Sequence, residues 1–177
     1  MKINQFIKTY CKALLLNKES EQNIFKYGFK IHFLWYTFLI GLLPLLGHLI
    51  IKSILGYDFS TVLSIWFASV RHQFIFLFLE ILIYIFLNKI FRLNLSNKKL
   101  SLICIFANSA RGIALFLDLV LPIVPFHFIY FFYHFVLIVE GYRINEENKR
   151  NLFLYLCFGY LASILIYLCL KSFIVLF

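Results

Sequence analysis

IHFLWYTFLIGLLPLLGHLII, from Ile31 to Ile51, is a run of 21 residues without a formal charge, bounded by Lys30 and Lys52. An α-helix rises about 1.5 Å per residue, so a run of this length covers about 30 Å, the thickness of a bilayer's hydrocarbon core. The flanking lysines sit where a helix would leave the apolar layer. Pro44 is expected to kink the helix, and Gly41 and Gly47 to let a neighbour approach closely. This stretch decides the fold class: it reads as a membrane-spanning helix.

Working outward, the same pattern recurs toward the C-terminus. Residues 53–73 mix Tyr57, Phe59, Trp66 and Phe67 with Asp58, Ser60 and Arg71, a composition suited to an interfacial segment. A second span is expected over about 72–91, carrying Glu80. A third follows over about 100–121, carrying Asn108, Arg111 and Asp118. Pro122 and Pro125 mark a turn (P-I-V-P) before a fourth span, about 125–142, and a fifth runs over about 152–171. Toward the N-terminus, Ile3, Phe6, Ile7, Tyr10, Cys11, Leu14 and Leu15 repeat at helical spacing, with Lys2, Lys8, Lys12 and Lys18 on or beside the other face. Residues 1–30 are therefore expected to form an amphipathic helix, lying on the membrane surface or docked on its own bundle. The predicted architecture is all-α: a polytopic bundle of about five transmembrane helices over 31–177, preceded by that amphipathic segment.

Composition supports this. Of 177 residues, 63% are hydrophobic, 20% aromatic and only 14% charged, against about a quarter charged in soluble domains. A water-soluble core of this size could not bury so much apolar surface. The net charge of +9 lies between apolar runs rather than in one patch, which fits anionic headgroups and topology signals and argues against a nucleic-acid partner. Numbering the polar segments along the chain, alternate ones hold thirteen and three basic residues, with Arg111 left inside a span. By the positive-inside rule this predicts a cytoplasmic N-terminus and an outside C-terminus. No apolar stretch with a cleavage site opens the chain, so the first span is expected to act as the insertion signal.

Chemistry-bearing residues are few. Cys11, Cys104, Cys157 and Cys169 have no disulfide or zinc spacing. His127 and His134 lie seven apart on one helix face, without convergent ligands in view, so no metal and no cofactor is expected. Intramembrane charges are costly unless paired or hydrated, which makes Glu80, Asn108, Arg111 and Asp118 the candidate polar network. Glu80 and Arg111 fall near the middle of consecutive spans, so an ion pair between them is predicted. Asn108, Arg111 and Asp118, at spacings of three and seven, share one face of the third span. Such a network reads either as a polar pathway or as an interhelical clamp. E-E-N-K-R (Glu146 to Arg150) approaches a membrane-protease motif, but its Arg is one position early and it falls in a loop. No hydrolase, metalloprotease or phosphate-binding signature is present, and no enzyme activity is expected.

The second half resembles the Yip-domain family, the five-span Ypt/Rab-interacting membrane proteins and their prokaryotic relatives. The resemblance is carried by the third span, by Leu121 to Pro125 (L-P-I-V-P), by Phe128 to Tyr142 (F-I-Y-F-F-Y-H-F-V-L-I-V-E-G-Y) and by Asn151 to Tyr160 (N-L-F-L-Y-L-C-F-G-Y). Pro122, Tyr133 and Gly141 match the family's Pro closing the third span, aromatic, and Gly closing the fourth. Asn108 to Gly112 (N-S-A-R-G) departs from it, standing where members often carry a Pro, and the long acidic region of eukaryotic members is absent. The resemblance thus implies a prokaryotic-type member in the cytoplasmic membrane. Two functions are in view: a non-enzymatic protein organising the bilayer or a membrane-protein partner, including a second copy, or a small transporter or channel component using Glu80, Arg111 and Asp118.

Overall fold

The computed structural model describes residues 3–56, 58–93, 95–121, 126–145 and 152–175. The chain is helical: α1 (Ile3–Leu14), α2 (Lys18–Ile24), α3 (Phe29–Leu55), α4 (Phe59–Ile90), α5 (Asn97–Val120), α6 (Phe126–Asn145) and α7 (Leu152–Val175). No strand occurs among the described residues. Among the described residues, three helices are long and apolar enough to cross a membrane: Phe29–Lys52 within α3, Phe59–Ile90 and Asn97–Val120. A shorter apolar run, Leu154–Cys169, lies within α7.

Local chemistry sets the helix ends. Gly56 adopts a left-handed backbone, φ 72°, and its N–H closes α3 on the Lys52 carbonyl. Only glycine takes that conformation without steric cost. Two residues on, Asp58 caps α4 by accepting a hydrogen bond from the Ser60 N–H at 3.0 Å. Between α4 and α5, Asn88 donates to the Leu95 carbonyl at 2.9 Å, and Leu93 and Leu95 are buried under the turn.

α5 is the central element. It packs against α3, α4 and α6, while α4 also packs against α3 and α7. Every residue from Leu102 to Gly112 is buried. Gly112 makes this closeness possible: a Cβ there would stand 2.5 Å from the Leu39 carbonyl oxygen of α3. Gly141 lets α6 close on Ile103, and Gly159 lets α7 close on the Tyr84 ring. The outer faces are apolar, with Leu34, Phe78, Phe86 and Leu161 all more than half exposed, the pattern of helices surrounded by lipid rather than water.

Three expectations change. The segment over 53–73 is not a separate interfacial element: α4 begins at Phe59 and runs unbroken for 32 residues, because no Gly or Pro interrupts it and its serines and Arg71 are compatible with helix. The N-terminal 30 residues hold not one amphipathic helix but two short ones, and α3 already starts at Phe29. α1 is docked on the bundle, burying Phe6, Tyr10, Ala13 and Leu14, whereas Cys11 and Leu15 of the expected apolar face are exposed. α3 continues through Pro44. Gly47 meets the Leu119 side chain of α5, whereas nothing approaches the Cβ position of Gly41; its carbonyl instead accepts from Trp66 Nε1 at 2.7 Å. Pro122, Pro125 and Glu146 to Arg150 lie outside the described residues.

Candidate functional site

Half-way along the bundle, α4, α5 and α6 each contribute polar side chains to one buried layer. Glu80, 0% exposed, is the centre. Its Oε1 is 2.7 Å from His134 Nε2 on α6, and its Oε2 accepts from the Asn108 amide on α5. Asn108 donates its second N–H to the Cys104 carbonyl at 2.9 Å. Tyr130, one turn from His134, closes the ring: its hydroxyl is 2.8 Å from His134 Nδ1 and donates to Asn108 Oδ1 at 3.3 Å. Each carboxylate oxygen of Glu80 therefore has a donor or proton-sharing partner, as a group removed from water requires.

The connectivity constrains the protons. Tyr130 has one hydroxyl proton, and if Asn108 receives it, Tyr130 accepts from His134 Nδ1–H. His134 Nε2 and Glu80 then share one further proton. In that arrangement the pair carries no net charge; with Tyr130 donating instead to Nδ1 and Nε2–H donating to Glu80, the carboxylate keeps its charge and is held by hydrogen bonds alone.

The predicted Glu80–Arg111 ion pair is not formed; among the described residues, Glu80 is instead paired with His134. Arg111 sits one turn further along α5, 4% exposed, with its guanidinium carbon 4.3 Å from the Phe76 ring, 4.8 Å from Tyr167 and 5.8 Å from Tyr130. Phe76 lies one turn from Glu80, so the two charges occupy successive layers rather than one. Aromatic faces carry negative potential and stabilise a desolvated guanidinium by about 2 kcal/mol. Among the described residues, Arg111 Nη1 has no hydrogen-bond partner. Asp118 is half-buried and lines, with Arg111, Tyr130 and Tyr167, a cavity of about 20 Å³. The shared face of Asn108, Arg111 and Asp118 thus resolves into Asn108 on Glu80, and Arg111 and Asp118 on the wall of that small cavity.

Two members of this layer, His134 and Tyr130, stand outside the network expected from the sequence, where His134 appears only beside His127; the side chain of His127 lies outside the described ones. The position of His134 mid-way along an antiparallel helix, level with Glu80, was the available signal. Tyr130 follows from it at one-turn spacing. A second cluster, nearer the turn into α5, joins the hydroxyls of Tyr142 and Tyr155, with Tyr155 donating to the Tyr84 carbonyl at 3.0 Å. No three His, Cys, Asp or Glu side chains converge among the described residues.

The fold and this site define a class: an all-helical protein whose long apolar helices are consistent with membrane integration and enclose a buried polar layer. Comparison with protein-family profiles, curated proteins and solved structures gives no match.

Proposed function

We propose that this chain is a five-span, Yip-like membrane protein without catalytic activity, in which the Glu80–His134–Asn108 layer is a clamp that fixes helix register while the exterior organises lipid or a partner helix. The observation that carries the clamp is the self-sufficiency of the layer: both Glu80 oxygens are occupied by protein groups. The cavity at neighbouring Arg111 is about 20 Å³, room for about one water molecule. A conducting path needs a chain of hydrated sites, and a network closed on itself favours fixed packing. The five-span count adds α6 and α7 to the three long apolar helices, and the basic-residue bias supports a cytoplasmic N-terminus.

The test is direct. Photo-crosslinkers at the lipid-facing positions Phe78 and Leu161 should give a reproducible protein or lipid adduct in native membranes. Proteoliposomes should show no ion or proton flux that Glu80→Leu abolishes. A flux lost on that substitution would replace the clamp by the transporter reading.

A further inference from the structure

The N-terminal hairpin stands at an unexpected depth. Tyr10 of α1 meets Phe106 of α5 edge-on at 5.3 Å and shares a hydrogen bond with the Ser109 hydroxyl. Ser109 gives its own proton to the Phe106 carbonyl, so Tyr10 is the donor. Ser109 lies twelve residues into the 24-residue α5, about 18 Å from its start at 1.5 Å per residue. It is the sequence neighbour of Asn108, hence level with the Glu80 layer. Leu14 and Leu15 at the hairpin's tip share an apolar groove with Leu117 and Phe126, further along still. The hairpin's return limb ends where Ile24 gives its carbonyl to His32 at 3.0 Å and Phe25 packs on Phe106.

A segment at mid-bundle should be apolar if lipid surrounds it. This one is not: α2 reads KESEQNI, Lys8, Lys12, Glu19 and Gln22 are exposed, and the turn over Leu15 to Asn17 is non-helical. At bilayer depth, charged side chains and irregular backbone persist only inside protein or against water. The docked face, by contrast, is dry, with Phe6, Tyr10, Ala13 and Ile24 buried.

We propose that the flank of the bundle formed by α3, α5 and α6 is a water-accessible vestibule, open on the side where α3 begins, and that the α1–α2 hairpin is its plug. The hairpin seats Tyr10 against Phe106 and Ser109 and Phe6 against His32 and Trp35, and turns its charged face to the water of the vestibule. When it leaves, water reaches Ser109, beside the Asn108 that holds Glu80. This rests on the membrane-crossing reading of α3, α4 and α5, and the experiment separates the two.

In a chain with the four native cysteines replaced, single cysteines at Gln22, Ser109 and Phe78 are labelled with a membrane-impermeant thiol reagent in sealed vesicles of either orientation. Phe78 is exposed on α4 at nearly the level of Glu80, so it reports lipid at the same depth. Gln22→Cys should react from the side of the N-terminus, at least tenfold faster than Phe78→Cys. Ser109→Cys should react slowly with the hairpin intact and at least tenfold faster once Phe6 and Tyr10 are both alanine. Tyr10→Phe, which removes only the hydroxyl, should give a smaller acceleration at unchanged melting temperature. A Gln22→Cys as inert as Phe78→Cys would place the hairpin in lipid and overturn the vestibule. A Ser109→Cys rate indifferent to the hairpin substitutions would overturn the plug. If Phe78→Cys reacts freely, the membrane reading fails and this inference with it.

Discussion

At the residue scale, Glu80 and His134 illustrate why a buried pair is strong only as a pair. His134→Ala should destabilise the protein by about 3–5 kcal/mol, because it leaves an acid in the core without its proton-sharing partner. Replacing both, Glu80→Leu with His134→Phe, should cost far less than that single change, or even stabilise. Thermal unfolding of the three forms in one detergent checks this, and equal losses in the single and double variants would contradict the clamp. The sequence alone put Glu80 and Arg111 at the same depth and paired them, with Asn108 only on the face it shares with Arg111, whereas Asn108 and His134 are the residues that hold Glu80. Formal charge made Arg111 the obvious complement, while His134 looked like one aromatic among many. Helix depth counted from estimated span ends carries an error of about a turn, and one turn is the distance between the Glu80 layer and the Arg111 layer.

At the element scale, the α3–α5 contact depends on the absence of a side chain at Gly112. Gly112→Ala puts a carbon 2.5 Å from backbone, which cannot yield as a side chain does, and should cost about 1–3 kcal/mol by overpacking. Gly47→Ala meets side chains rather than backbone, those of Leu119 and Phe116, and should cost less; the difference in melting temperature between the two variants is the measurement. Helix α4 offers a pH test. Hydrogen bonds from the Ser60 hydroxyl and N–H hold the Asp58 carboxyl below its ordinary pKa of 3.8. Since the folded pKa is the lower one, the cap's contribution is present above the unfolded value and is lost as pH falls through the folded value. Fraying of the first turn of α4, followed by amide resonances near Ser60, should therefore set in below about pH 4, and Asp58→Asn should remove that dependence. The long α4 was only half legible because aromatic and polar residues over 53–73 resemble an interface by composition, whereas helix continuity depends on the absence of a breaker between Phe59 and Ile90.

At the scale of the whole molecule, the apolar runs made readable an all-helical fold with helices long and apolar enough to cross a membrane, and the N-terminal amphipathic pattern made a docking face readable. What the pattern could not convey was which residues of that face are covered, since Tyr10 is selected by Phe106 and Ser109, nearly a hundred positions away, and Phe6 by His32 and Trp35. The proposed orientation leads to a further expectation: a reporter that matures only in the cytoplasm should be active when fused before Met1 and silent after Phe177. Activity at both ends would require an even number of crossings.

The burial of α5 has a consequence for how the protein is made. Among the long helices it is the one that carries Asn108, Arg111 and Asp118 together, and an arginine at the centre of an isolated helix costs about 2.5–3.5 kcal/mol on insertion. Its compensation comes from neighbours on both sides in the chain: Phe76 and Glu80 before it, Tyr130 and Tyr167 after it. Of the helices that carry these partners, only α4 is already present when α5 is made. The first of these debts can be settled as α4 and α5 enter the bilayer as a hairpin, through Asn108 and Glu80, while His134 and Tyr167 arrive later. Until then Glu80 lacks its imidazole, so the nascent chain passes through a stage in which its own centre is its least stable part, and a chain stalled before α6 should be a preferred target for membrane quality-control proteases.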